Sequence, residues 1–220
     1  MKKSEFLMVV GAIFFLVSGF FVGKNFFEKY ESQKMLEAVT KDSKKLLRDF
    51  SPRLGSSRPK VHVVEFLDPE CESCREFYPV MKTLMSEFSS EVQLVIRYAP
   101  FHPNSRLAIK ILEASRKQGR YWEALETLFK YQPQWGSHHH PQPELLWTYL
   151  PEAGVDGEKI RTDIMDGEIE KNLEQDISDA QALMVRATPT VFVNGRRLEV
   201  LGAQTIRELI QEELQKISLK

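Results

Sequence analysis

Cysteine is scarce: only Cys71 and Cys74 occur in the 220 residues. With no second pair, a structural zinc site built on four ligands is excluded. A structural disulfide closing so short a loop would add little stability. An excess of one charge is also lacking. Thirty basic residues face 31 acidic ones for a net charge of -1, so nothing suggests nucleic acid as a partner. No internal repeat and no long low-complexity tract is present. Long apolar runs are confined to one place, Phe6 to Gly23. The remaining composition is that of a globular chain, with apolar residues enough for a core and length enough for one domain plus an appendage.

The apolar run follows Met1-Lys2-Lys3, carries no charge and has Ser18 as its single hydroxyl. At about 18 residues it is just long enough to span a bilayer as a helix. An uncleaved anchor over 1–23 is the expectation, because the run continues past the small residues Val17-Ser18-Gly19 and offers no clean cleavage pattern. A cleaved signal peptide is the alternative. Either one exports the bulk of the chain. Lysines on both sides of the run leave its orientation undecided by charge count.

Residues 24–59 read as a helical stalk and linker. Leu36, Val39, Leu46 and Phe50 fall at three-four spacing, giving a solvated stalk or, alternatively, a self-association helix that makes a homo-oligomer. Ser51-Pro52 and Gly55-Ser56-Ser57-Arg58-Pro59 then break the helical pattern. The β-branched run Val61 to Leu67 and the run Val92 to Tyr98 read as buried strands. Between them a helix begins at Cys71 and carries Pro79. This is the strand–helix–strand order of a parallel pair with a crossover. Helices are expected over 104–130, with a break at Gly119, and then over 144–150, 157–165 and 168–184. Thr190 to Val193, the turn Asn194-Gly195 and a return strand from Arg197 to Leu201 make a hairpin. A last amphipathic helix runs from Gln204 to Ile217.

Cys71-Glu72-Ser73-Cys74 is where the chemistry is expected. Two thiols at this spacing, opening a helix, form a disulfide across one turn. Unpaired N–H groups and the positive helix end stabilise a thiolate at the first sulfur. A stabilised thiolate both attacks and leaves well, so the pair can exchange disulfides with another protein.

The dithiol after the strand VVEFL, Glu65 six residues before Cys71, and Thr188-Pro189-Thr190 opening the hairpin resemble the DsbA-like branch of the thioredoxin superfamily. About 114 residues lie between Cys74 and Pro189, which resembles the helical domain that this branch inserts, here about 102–186. The resemblance covers 60–220. It implies an α/β thioredoxin-like fold with an inserted helical domain, preceded here by the expected transmembrane helix and stalk. It further implies Cys71 as nucleophile, Cys74 as resolving thiol and Glu65 as buried proton relay. A cis Pro189 would bring the Thr188 backbone to the sulfurs for strand-like pairing with substrate.

No cofactor and no metal is implied. The implied partners are cysteine-containing exported polypeptides and a membrane protein that resets the dithiol. The implied place is the bacterial inner membrane, with the catalytic domain in the periplasm, or a soluble periplasmic form after cleavage. The motif departs from the best-known strong oxidant, which has Pro-His where this chain has Glu72-Ser73. Those residues should modulate the site: Glu72 and Glu70 oppose a Cys71 thiolate and Arg75 offsets them in part, which predicts a less depressed Cys71 pKa and a weaker oxidant. Oxidation of substrates is the first expectation. Isomerisation or reduction is the second, and a copper(I)-binding or chaperone module is a reading from another class. His138-His139-His140 reads as a solvated loop, and His102 either lies near the active face or has a structural or capping role.

Overall fold

The computed structural model describes residues 17–24, 26–27, 30, 45–137 and 139–219. The chain divides into two units, Met1–Lys41 and Asp42–Lys220. In the first unit residues 17–24 are helical; the rest of the expected anchor and most of the expected stalk lie outside the described residues. Among the described residues no helix is long and apolar enough to cross a membrane.

The second unit is built on a five-stranded mixed sheet in the order β1-β3-β2-β4-β5. Its strands are β1 (Arg53–Gly55), β2 (Val61–Leu67), β3 (Val92–Tyr98), β4 (Thr190–Val193) and β5 (Arg196–Arg197). β2 pairs in parallel with β3, Val64 opposite Val95, and antiparallel with β4, Glu65 opposite Val191. Val63–Phe66 are therefore paired on both edges, and all seven residues but His62 are buried. This double coverage explains why VHVVEFL is nearly continuously apolar rather than alternating.

Helix α1 (Glu72–Glu87) crosses over from β2 to β3, and α7 (Ala203–Ser218) packs with it and with β2 and β4. Between β3 and β4 the chain is helical: α2 (Ser105–Lys117), α3 (Tyr121–Trp135), α4 (Leu146–Tyr149), α5 (Gly157–Asp163) and α6 (Gly167–Ala182). Gly119, at φ +71°, separates α2 from α3. α3 runs on to Trp135, beyond the expected loop start at Gln132, although Pro133 lies within its last turn. Asp156 and Asp166 cap α5 and α6 through their side chains, satisfying N–H groups that have no partner in the helix.

Two sequence expectations are corrected. Residues 45–50 form turns rather than the end of a stalk helix, and the supposed linker over 51–59 carries β1, paired antiparallel with β3. The sheet thus begins before residue 60. Gly55 is needed there, since its φ is +99° and a Cβ would stand 2.5 Å from the Val92 carbonyl oxygen. The return strand is also shorter than expected, only Arg196–Arg197. The turn itself follows its sequence signal, with φ +45° at Asn194 and +86° at Gly195.

A charged cluster ties α6 to the sheet. Arg97 of β3 is fully buried. Its Nε donates to Asp176 Oδ1 at 2.7 Å and its Nη2 to Asp179 Oδ2 at 2.7 Å. Its Nη1 donates to the Lys45 carbonyl. Arg48 forks onto Asp179 at 2.8 and 2.9 Å, and the Tyr98 N–H donates to Asp176 Oδ2 at 3.0 Å. Burial pushes Asp176 up to about 6 against the pull of Arg97. Burial also raises Asp179, but Arg48 and Arg97 outweigh it and hold its pKa low.

Candidate active site

Cys71 occupies the N-cap of α1, and its N–H donates to the Asp68 carbonyl at 3.1 Å. It is 8% exposed, whereas Cys74, one turn along, is fully buried. The first sulfur is thus the more accessible of two largely covered thiols. No disulfide joins the two cysteines. Across the sheet, the Thr188–Pro189 bond is cis, and the Thr188 carbonyl accepts a hydrogen bond from Cys71 Sγ at 3.3 Å. The expected juxtaposition of Thr188 with the dithiol is therefore present. Glu65, in the centre of β2, is 1% exposed, and its Oε1 has no hydrogen-bond partner among the described residues.

These placements set three titrations apart. The Cys71 thiol is lowered to about 5, chiefly by the hydrogen bond from Cys74, against its own burial and with help from the Thr188 side chain and the backbone N–H groups of Cys74 and Ser73. Cys74 is pushed well above its ordinary value by burial and by its bond to the Cys71 sulfur. Burial raises Glu65 to about 8, and the Cys71 charge adds to that. One sulfur is therefore a thiolate at neutral pH. The other is a thiol beside a carboxyl able to take or give a proton.

The acidic neighbours act differently from the expectation. The Glu72 and Ser73 side chains are exposed, and Ser73 bears on Cys71 through its backbone N–H. Glu70 is buried, but its carboxylate accepts from the N–H and Nδ2 of Asn104 at 2.6 and 2.8 Å. The expected opposition to the thiolate is overcome by hydrogen bonds made inside the turn.

Sequence reasoning missed the residues that hold this turn. Gln132 of α3 donates from Nε2 to the carbonyls of Pro69 at 2.8 Å and Cys71 at 3.0 Å. Asp68 is fully buried and accepts four bonds: Glu70 N–H and Ser105 Oγ on Oδ1, Phe101 N–H and His102 Nδ1 on Oδ2. The signal available was the run Asp68-Pro69-Glu70, polar residues in a turn that the fold buries. Tyr78, Phe129 and Trp135 are core, and Phe77 and Trp122 pack against it. His139 and His140 are exposed, His138 lies outside the described residues, and among the described residues no cluster fit for a metal ion occurs.

The depressed Cys71 pKa makes the stability of the dithiol form depend on pH. The folded thiol loses its proton near pH 5 and the unfolded one near 9. Its contribution is therefore complete above about pH 9 and is lost as the pH falls to about 5. Glu65 acts oppositely, its contribution being lost as the pH rises from 4.5 through about 8. Its main cause is burial, which is common to both redox forms, so it largely cancels between them. The urea midpoint of the dithiol form is expected to rise relative to the disulfide form between pH 5 and 8. A constant difference across that range would contradict a low Cys71 pKa.

Residues 48–212 match the family model described as Thioredoxin. The chain is 32% identical over 158 residues to the Na(+)/H(+) antiporter NhaA of Herminiimonas arsenicoxydans, covering 71% of this chain and 24% of that protein. It thus spans about a quarter of the length of that relative. It is 27% identical over 224 residues to the probable disulfide bond formation protein D of Bacillus anthracis, covering 98% of this chain and all of that one. Among solved structures, oxidised BdbD from Bacillus subtilis superposes with a TM-score of 0.68 at 27% identity, over 76% of this chain and 94% of that one.

Proposed function

Because this chain belongs to the thioredoxin family, as a DsbA-like thiol:disulfide oxidoreductase, we propose that it oxidises pairs of cysteines in exported polypeptides. The observation that carries this reading is the split between the two sulfurs, one lowered to about 5 and the other raised. In the oxidising direction a client thiolate attacks Cys71 Sγ. The Cys71–Cys74 bond breaks, and Cys74 leaves and takes a proton, for which Glu65 is the adjacent relay. A second client thiolate then attacks the client sulfur of the mixed disulfide. The client disulfide forms and Cys71 departs as a thiolate, so two electrons pass from client to enzyme. A low leaving-group pKa favours this last step. The Thr188 backbone beside Cys71 Sγ supports pairing with an extended client segment.

Under this reading a membrane-bound redox partner returns the dithiol to the disulfide. The apolar run at 6–23 tethers the catalytic domain in the periplasm or an equivalent exported space, and the segment after it serves as stalk or self-association helix. The reduction potential tests the direction of exchange. We expect a value between about -200 and -120 mV by equilibration with glutathione, less oxidising than the strongest members. A value near about -270 mV, the range of a reductant, would overturn oxidation in favour of reduction.

A further inference from the structure

We infer that Gln132 is a positioning residue for the dithiol: its side-chain amide clamps the carbonyls of Pro69 and Cys71, and so holds the first turn of α1 in place when no disulfide ties it. This rests on the dithiol being the redox centre.

Gln132 is 1% exposed and sits in the last turn of α3. Its Nε2 donates to the Pro69 carbonyl at 2.8 Å and to the Cys71 carbonyl at 3.0 Å. The Cys71 carbonyl also accepts the Arg75 N–H at 3.1 Å, the bond that closes the first turn of α1. Gln132 thus fixes the carbonyl on which that turn closes. The N–H groups of Ser73 and Cys74, which bear on the Cys71 sulfur, lie in the same turn. The amide is carried on a firm base. α3 meets α1 through Tyr78 and Phe129, whose ring centroids are 5.4 Å apart. Trp135, fully buried, donates from Nε1 to the Leu128 carbonyl at 2.8 Å. Just past the helix, a Cβ on Gly136 would come within 3.2 Å of Glu70 Cγ, so the backbone there lies against the active turn. Gln132 Oε1, by contrast, is buried and has no hydrogen-bond partner among the described residues. An unmatched buried acceptor costs stability. What the amide gives the fold is therefore its grip on the turn.

The grip matters unequally in the two redox forms. In the disulfide form the Cys71–Cys74 bond spans this turn, and in the dithiol form only hydrogen bonds do. The Gln132 bonds therefore stabilise the dithiol form more, which makes the disulfide more oxidising. Gln132→Met keeps the shape of the side chain and removes both donors. It is expected to make the protein about threefold to tenfold less oxidising against glutathione, about 15–30 mV. A residue that merely fills the core would destabilise both forms alike, so an unchanged or more oxidising potential overturns the proposal. A second measurement needs no variant. Hydrogen exchange at the Arg75 N–H is expected to agree within about tenfold between the two redox forms, because Gln132 keeps the turn closed once the disulfide is gone. A larger acceleration on reduction overturns the proposal, even if Gln132→Met fails to fold. Both readouts are independent of client turnover. Loss of the oxidase reading would appear separately, as no exchange in the wild-type protein.

Discussion

Replacing Cys71 by serine is expected to reduce disulfide exchange with a cysteine-containing client by at least about 10³-fold, because the sulfur that a client attacks, and that leaves as a thiolate, is lost. With a pKa lowered to about 5, Cys71 is predominantly ionised at pH 7. A serine hydroxyl at the same N-cap is not ionised there. Cys74 cannot substitute, being fully buried and held protonated. Cys74→Ser should behave differently. It keeps the attacking thiolate but lacks the thiol that would displace a bound client, so a mixed disulfide through Cys71 should accumulate and be visible on a non-reducing gel.

The electrostatics make the second thiol conditional on the first. The Cys71 sulfur raises Cys74 through its hydrogen bond and its charge, and Glu65 through its charge. Once Cys71 is covalently engaged that charge is gone, and both groups become easier to ionise. In the reverse, reductive direction, where Cys74 must lose its proton to displace a bound client, Glu65→Gln should therefore lengthen the lifetime of the mixed disulfide while leaving its formation close to normal. Rapid-quench measurements separate the two steps. Full exchange activity in Cys71→Ser would end the catalytic reading.

The largest expected effect on stability lies at Arg97. Arg97→Ala should cost about 3–5 kcal/mol, since removing one partner leaves buried charge uncompensated. Here the guanidinium neutralises two carboxylates, Asp176 and Asp179, that are themselves 1% and 3% exposed. It also satisfies the Lys45 carbonyl and lies 5.5 Å from the Phe66 ring centroid. Asp179 keeps Arg48 as a second partner, whereas Asp176 keeps only the Tyr98 N–H among the bonds described above. Urea denaturation should show the loss as a lower midpoint with an unchanged slope. A loss under about 1 kcal/mol would mean that α6 is held to the sheet mainly by its apolar face.

What could be read from the sequence was what is local. The dithiol, the turn Asn194-Gly195 and the run VHVVEFL each announce themselves within a few residues. Thr188-Pro189 needed the family resemblance to place it opposite the sulfurs. The unread parts are made by distant pairings. Nothing in Arg53-Leu54-Gly55 signals a strand, because its apolar partner surface is β3, about forty residues away. Arg97 in VQLVIRY looks like a solvent-facing end of a strand until α6 brings two aspartates onto it. Gln132 reaches the active turn only after α3 folds back over it, and His102 only after β3 pairs with β2. A polar residue gives no sequence sign of the backbone group that it will meet.

If the protein handles exported polypeptides as proposed, the edges of the sheet carry a consequence. A strand edge offers a row of unpaired N–H and C=O groups that can recruit a foreign strand. Here both edges are cut short: β1 has three residues and β5 has two, with an arginine in each. Client polypeptide finds little ladder to extend at either side and is less able to aggregate onto the enzyme. Under the proposed function, the backbone at Thr188 then becomes the favoured place for a client to align. A thiolate stands beside it, so the place that captures a chain is also the place that lets it go.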